Sequence, residues 1–344
     1  MQHQISNNFQ AKIIIRNKSR YIGDTVKIYE NILETIGNTP IVKINRITSP
    51  KNHLFAKLES FNPGGSVKDR MARYMIEKAE KAGKINDTIV ENSSGNTGAS
   101  ISMISAVKSY RCVITIPDKM SQEKINLMKA YGSEVVVTKT DVPYDSPESY
   151  YSVARRIAAE SNAHYPDQYN NPDNIEAHYA STGPEIWNQM EGEIDVLVAG
   201  IGTGGTISGI GKYLKEKNPD IRVIGVDPEG SVFYSYFKTG KMVKPHTYKV
   251  EGIGEDYLVK AVDFSVIDDI VTVNDRESFL MTRRLAREEG IFAGGSSGAA
   301  LAAALNISKS YTDKNILMIF PDSGYRYLSK IYNDNWMRQN GFME

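Results

Sequence analysis

The chain predicts an α/β protein built on doubly wound, largely parallel sheets, and three observations carry that expectation. Short apolar runs recur along the whole length, stretches of helical periodicity separate them, and polar glycine-rich loops follow several of the runs. At 344 residues there is ample chain for two ordinary domains, each with its own core.

The runs read as strands in order: Leu54–Leu58, Thr88–Val90, Cys112–Ile116, Glu134–Val137, Val196–Ala199, Arg222–Val226 and Ile316–Phe320. Short, largely apolar runs of three to five residues suit strands covered on both faces, as parallel strands are. After Ser66, the positions Val67, Met71, Tyr74, Met75 and Ala79 give an apolar helical stripe. The polar cluster Asn170-Asn171-Pro172-Asp173-Asn174 is suited to a crossing from one sheet to the next. The first 23 residues carry Lys12, Arg16, Lys18 and Arg20 and no acid. That composition belongs to organelle leaders and equally to a basic arm or edge strand over Ala11–Ile15; the cytoplasm is the expected location.

Lys plus Arg and Asp plus Glu each number 41, so no net field draws the chain to nucleic acid or to an anionic membrane. No apolar run approaches the length needed to span a bilayer. A single cysteine, Cys112, makes no internal disulfide, and five scattered histidines show no metal-ligand spacing, so no metal is expected. Small-molecule partners fit best.

Five segments carry residue types with chemistry. In Asn62-Pro63-Gly64-Gly65-Ser66-Val67-Lys68-Asp69-Arg70 a turn ends a strand and Ser66 is placed to cap a helix. Lys68 then falls in the first helical turn, where the positive end of the helix and Arg70 disfavour an ammonium and leave a nucleophilic amine. An ordinary solvated lysine is the bland alternative on this segment alone. Glu91-Asn92-Ser93-Ser94-Gly95-Asn96-Thr97-Gly98 joins a strand to a small-residue helix, and its amides and the hydroxyls of Ser93, Ser94 and Thr97 form a cradle for a carboxylate. Gly200-Ile201-Gly202-Thr203-Gly204-Gly205-Thr206 opens a helix directly after a strand, where glycines admit a phosphate and Thr203 and Thr206 add donors. Gly200, Gly202 and Gly205 also satisfy a dinucleotide fingerprint, with Asp227 at a ribose-binding distance beyond, so an NAD-dependent oxidoreductase is a rival reading. Gly294-Gly295-Ser296-Ser297-Gly298 again sets glycines and hydroxyls before a helix, and Pro321-Asp322-Ser323-Gly324 follows the last strand. Loops leaving the carboxyl ends of strands converge on one crevice in such folds.

As a set, these motifs resemble the tryptophan-synthase-β (fold type II) family of pyridoxal-phosphate (PLP) enzymes, and within it the cysteine synthase and cystathionine β-synthase group. The resemblance runs from Ile36-Gly37-Asn38-Thr39-Pro40 to Phe342, and five ordered motifs make it specific. It implies PLP joined covalently to Lys68, Asn96 beside the ring hydroxyl, Gly202, Thr203, Gly204, Gly205 and Thr206 around the phosphate, and Ser296 facing the ring nitrogen. It implies Ser93, Ser94, Asn96, Thr97, Gln168 and Gly252 at the substrate. Segments Asp145-Ser146-Pro147, Gly225-Val226-Asp227-Pro228 and Glu251-Gly252-Ile253-Gly254 are closest to the cystathionine β-synthase catalytic core. Ser93 stands where a threonine is usual and Tyr325 where bacterial relatives commonly have glutamate.

The family also implies an N-terminal extension over 1–30, a smaller domain over 62–172 with Lys68 and the substrate loop, and a larger one over 31–61 plus 173–344 with the phosphate loop. Homodimers are implied; haem and adenosylmethionine control are not expected. The activity implied is β-replacement on serine, or on an activated serine or cysteine, by a thiol. Homocysteine gives cystathionine; sulfide with O-acetylserine gives cysteine. Lys68 serves as base and then acid. Once PLP is accepted, Asp227 is better read as a strand-end acid ordering the next turn, while Glu251 is placed either to bind an incoming amine or to cap a loop.

Overall fold

The computed structural model describes residues 28–344. The basic first 23 residues, and nearly all of the expected 1–30 extension, lie outside the described residues. Nine strands are present among the described residues: β1 (Ile41–Lys43), β2 (His53–Leu58), β3 (Thr88–Asn92), β4 (Arg111–Pro117), β5 (Glu134–Thr138), β6 (Val196–Gly200), β7 (Arg222–Pro228), β8 (Asp269–Val273) and β9 (Asn315–Phe320). They form a six-stranded sheet in the order β1-β2-β9-β6-β7-β8 and a three-stranded sheet in the order β3-β4-β5. Only β1 runs antiparallel to its neighbour. All seven expected strands form. The two not anticipated are edge strands, one three residues long and the other with two part-exposed positions and one exposed one, and neither gives the continuous apolar run that marks a central parallel strand.

Alternation across each sheet explains how both are covered. In the small sheet Ile89, Cys112, Ile114 and Ile116 pack with residues of α1 (Lys68–Lys81), α2 (Asn96–Lys108) and α3 (Gln122–Ala130). Val90 and Val113 point the other way, to Ala154 and Ala158 of α4 (Tyr150–Ser161). The chain then enters α5 (Asp173–Ala177), one π-type turn over His178–Thr182, and α6 (Gly183–Gln189). In the large sheet Leu197, Ala199, Leu317 and Ile319 meet α6, α7 (Gly205–Lys217) and α8 (Phe233–Thr239). Val196, Val198, Ile316, Met318 and Phe320 face the opposite side, against α9 (Asp275–Arg284) and α10 (Gly295–Ile307). Both sheets are therefore apolar on two faces, which is why their strands read as unbroken runs. No helix among the described residues is long and apolar enough to cross a membrane.

One polar network is buried among these layers. Lys57 of β2 is fully buried and donates to Thr39 O (2.7 Å), to Gln189 Oε1 (2.6 Å) and to Glu185 of α6. Arg70 of α1 forks onto Glu59 through Nε and Nη2 (2.7 and 2.9 Å), and reaches Glu185 through Nη1 (2.9 Å). Two cations and two anions thus tie β2, α1 and α6 together. This also corrects the expected role of Arg70, whose guanidinium is committed to carboxylates rather than acting on the Lys68 amine.

Removing one partner of a buried pair strands the others without compensation. Arg70→Met is expected to lower the unfolding free energy by about 3–5 kcal/mol in chemical denaturation. Arg111→Met, which breaks an exposed pair with Glu134, should change it little.

Candidate active site

The glycine turn before α1 is stitched in place from both sides. Gly65 takes φ +78°, a value that favours glycine. Asp69 reaches back to accept the Gly64 N–H (2.6 Å), and Ser66 Oγ accepts the Lys68 N–H (3.3 Å). Val67 N–H donates to Pro321 O (2.8 Å) and Ser323 N–H to Gly65 O (3.3 Å), so the loop after β9 closes over this turn. Lys68 is thereby aimed at the large sheet, where its Nζ lies 3.4 Å from Thr203 Oγ1. Burial of the amine, opposed by Glu255 and Asp322, pulls its pKa down to about 8. An amine in that range keeps roughly a tenth of its free base at pH 7.

The loop between β6 and α7 has the makings of an anion receptor. The N–H groups of Gly202, Thr203 and Gly204 have no acceptor among the described residues, and they stand at the positive end of α7. A Cβ on Gly202 would fall 2.5 Å from Gly252 O, and one on Gly205 would fall 2.0 Å from Asn174 Oδ1. Gly204 takes φ +88°, and a Cβ there would run into Val262 and Ala261 O. Thr203 is buried, and Thr206 Oγ1 lies 3.2 Å from Nε2 of His178. Burial holds His178 well below the usual histidine range, so it is neutral, and its Nδ1 lies 2.8 Å from Thr182 Oγ1. Asn174 Nδ2 donates to Thr203 Oγ1 (3.0 Å) and to Gln168 O (2.8 Å). Neither His178 nor Asn174 was singled out from sequence. The π-type turn that presents His178 has no sequence signature, although such turns collect at functional sites.

The substrate-loop candidates are held by their own side chains. Ser93 Oγ accepts the N–H groups of Gly95 (2.9 Å) and Gly98 (2.8 Å), which shapes the entry to α2 around Gly95 at φ +135°. Thr97 Oγ1 donates to Gln168 Oε1 (2.6 Å), and Gln168 Nε2 donates to Asn92 O (2.9 Å), so these two buried residues set each other's orientation. Ser94 accepts at its carbonyl from Lys124 (3.3 Å). Asn96 donates to Asp322 Oδ2 (2.8 Å) and accepts from Arg326.

Asp322 is the hub of the remaining contacts. It bridges Ser66, accepts from Tyr327 (2.7 Å), and its carbonyl accepts the Gly294 N–H (3.2 Å) ahead of Ser296, which is buried in the first turn of α10. Gly252 is exposed at φ +88°, its carbonyl facing Gly202, and the Gly254 N–H donates to Ile201 O (2.7 Å). The candidate residues therefore lie on loops and first helical turns that meet between the sheets: a desolvated amine, a set of open amides and a cradle of hydroxyls.

Three other residues are accounted for. Cys112 is buried in β4, where burial pushes its thiol up and away from nucleophilic use. Asp227 is buried at the end of β7, and its Oδ2 accepts the Tyr234 N–H (2.8 Å) at the start of α8, which orders the segment that follows the strand. Tyr325 is exposed and packs edge-on against Phe292.

A family model described as "Pyridoxal-phosphate dependent enzyme" matches residues 32–322. A cystathionine beta-synthase of Rattus norvegicus is 47% identical over 92% of this chain and 58% of its own length. A cysteine synthase of Staphylococcus aureus is 42% identical over 88% of this chain and 96% of its own. The chain thus spans only about three fifths of the first relatives it matches. Among solved structures, an O-ureido-L-serine synthase superposes with a TM-score of 0.82 at 35% identity, covering 91% of this chain and 100% of that one. The family match overturns the dinucleotide reading of the Gly200–Gly205 pattern.

The glycine cradle gives a test. Gly204→Ala puts a Cβ 2.3 Å from Val262 Cγ2 at a strained φ, and is expected to weaken PLP binding at least about tenfold in a fluorescence titration. Gly83→Ala carries a similar positive φ with nothing near its Cβ and should leave the affinity unaltered.

Proposed function

Because the chain belongs to the family of pyridoxal-phosphate-dependent enzymes, we propose that it joins serine to homocysteine, giving cystathionine and water by β-replacement. The observation that carries this reading is the desolvated Lys68 amine beside Thr203, where the open amides before α7 face the turn that bears it. The residues fit PLP: Lys68 for its aldehyde, Gly202, Thr203, Gly204, Gly205 and Thr206 for its phosphate, Asn96 for the ring hydroxyl and Ser296 for the ring nitrogen. When bound, PLP supplies an electron sink for charge developing at the substrate Cα.

The protein's own groups do the rest. Ser93, Ser94, Asn96 and Thr97, with Gln168 behind them, hold the substrate carboxylate at the N-terminus of α2, and Gly252 leaves the entrance open. Lys68 Nζ takes the Cα proton and returns a proton to the departing hydroxyl, so one residue is base and acid in turn. A neutral hydroxyl from Ser296, in place of a carboxylate, gives little support to a protonated ring nitrogen, which favours β-elimination over transamination. The thiol then adds at Cβ. In this reading residues 62–172 are a smaller domain bearing Lys68, and 31–61 with 173–344 a larger one bearing the phosphate loop. A cytoplasmic homodimer goes with it on resemblance alone.

Homocysteine is favoured by the identity to the cystathionine beta-synthase relatives. One observation favours a second reading, cysteine synthesis from O-acetylserine and sulfide: the cysteine synthase relative is matched over 96% of its length. Paired assays decide between them. Serine with homocysteine is expected to give cystathionine with a kcat/KM at least about tenfold above that of O-acetylserine with sulfide. Fast sulfide turnover with no cystathionine would reject the homocysteine assignment.

A further inference from the structure

Two acids stand near the site on the segment between α8 and β8, and the structure separates them. Glu251, the acid that sequence reading offered as an amine binder, accepts from Lys330 (2.7 Å) and from Lys124, which also holds the Ser94 carbonyl. Although burial opposes it, these two lysines keep Glu251 below the usual carboxylate range. It is a strap between α3 and this loop, with no capacity left for a ligand's ammonium.

Glu255 is in the opposite condition. Its backbone is pinned, the N–H donating to Ser231 Oγ (3.1 Å) and the carbonyl accepting from Val232 N–H (3.2 Å). Its carboxylate, by contrast, has one long hydrogen bond among the described residues, from Tyr151 Oη at 3.4 Å. That tyrosine belongs to a cluster of rings: Tyr151 stands edge-on to Tyr169 and Tyr257 at 5.3 and 5.7 Å, and Tyr257 stacks on Tyr144 with centroids 4.7 Å apart. The hydroxyl of Tyr257 is buried with no partner. The cations Glu255 feels are Lys68, which the proposed function gives to the cofactor, and Lys119, which is exposed. A carboxylate at the edge of a tyrosine cluster that holds an unused hydroxyl is suited to receive an organic cation.

We propose that Glu255 and its tyrosine cage bind the α-ammonium of the second substrate, selecting a thiol that is itself an amino acid over sulfide or a simple thiol. The assignment rests on the β-replacement reading and adds to it the residue that sets thiol preference. Burial, reinforced by Asp256 and opposed by Tyr151, Lys68 and Lys119, pushes Glu255 up to about 8. The other ionisable groups facing it are Tyr150, Tyr169, Tyr248 and Tyr257, all raised by burial. The carboxyl therefore ionises as pH rises toward 8, and an arriving ammonium favours the ionised form.

The test uses the PLP-loaded enzyme with serine and three thiols: L-homocysteine, 4-mercaptobutyrate, which is the same chain without the ammonium, and sulfide. In E255Q, kcat/KM for homocysteine is expected to fall at least about tenfold, mostly through KM, while the other two thiols stay within about twofold and KM for serine is unchanged. The homocysteine to 4-mercaptobutyrate ratio should rise between pH 6 and 8 in the wild type and be flat in E255Q, a comparison in which ionisation of the thiol cancels. Equal losses with all three thiols, or none with homocysteine, would overturn the assignment while leaving β-replacement standing. A wild type that joins none of the thiols to serine fails the β-replacement reading itself, and this assignment with it.

Discussion

The arrangement depends on taking one ammonium out of water. A lysine in solvent keeps its proton at neutral pH and is useless as a nucleophile; moving it into a low-dielectric crevice is what frees it. Lys68 reaches that environment because the turn preceding α1 is tied to the loop after β9 by backbone bonds in both directions. The cost falls on the neighbours, which must be satisfied while they enclose it. Asp69 turns back to the Gly64 amide and to Ser100, and Arg70 is drawn away into the Glu59–Glu185 network. Adjacent residues in one short segment thus have three separate settings: a desolvated amine, an acid that holds the turn, and a guanidinium that packs α1 against β2 and α6.

The two sheets explain why separate segments of sequence meet at this point. In parallel sheets the carboxyl ends of strands share one side, and the loops that leave them open helices with unsatisfied amides. The loops after β3 and β6 do so here, presenting the Ser93–Thr97 and Gly202–Thr206 segments, while the loop after β9 ties the first of them to the Lys68 turn through Asp322. Charge is distributed with similar economy. Glu251 is neutralised by two lysines and straps its loop to α3, whereas Glu255 four residues later is left with a single weak contact.

Much of this was legible in the sequence because central parallel strands and glycine loops obey local rules. The seven apolar runs fell where strands form, and every loop picked out for its hydroxyls and glycines lies at the meeting point. The misses share a cause: they depend on contacts distant in the chain. Edge strands β1 and β8 lack the two-sided burial that makes a run conspicuous. Arg70 reads as a neighbour of Lys68, but its partner Glu185 lies 115 residues on, and burial rather than charge or helix dipole dominates the amine. His178 and Asn174 become supports of Thr206 and Thr203 only once α5 packs on α7. Nothing local distinguishes Glu251 from Glu255; the difference is made by Lys124 and Lys330, which come from other elements.

The central claim is that the Lys68 amine carries the cofactor. Borohydride reduction of the purified yellow protein, followed by digestion and mass mapping, tests it directly. The account predicts a single phosphopyridoxyl adduct on the peptide containing Lys68. An adduct on any other lysine, with the Lys68 peptide unmodified, would contradict it.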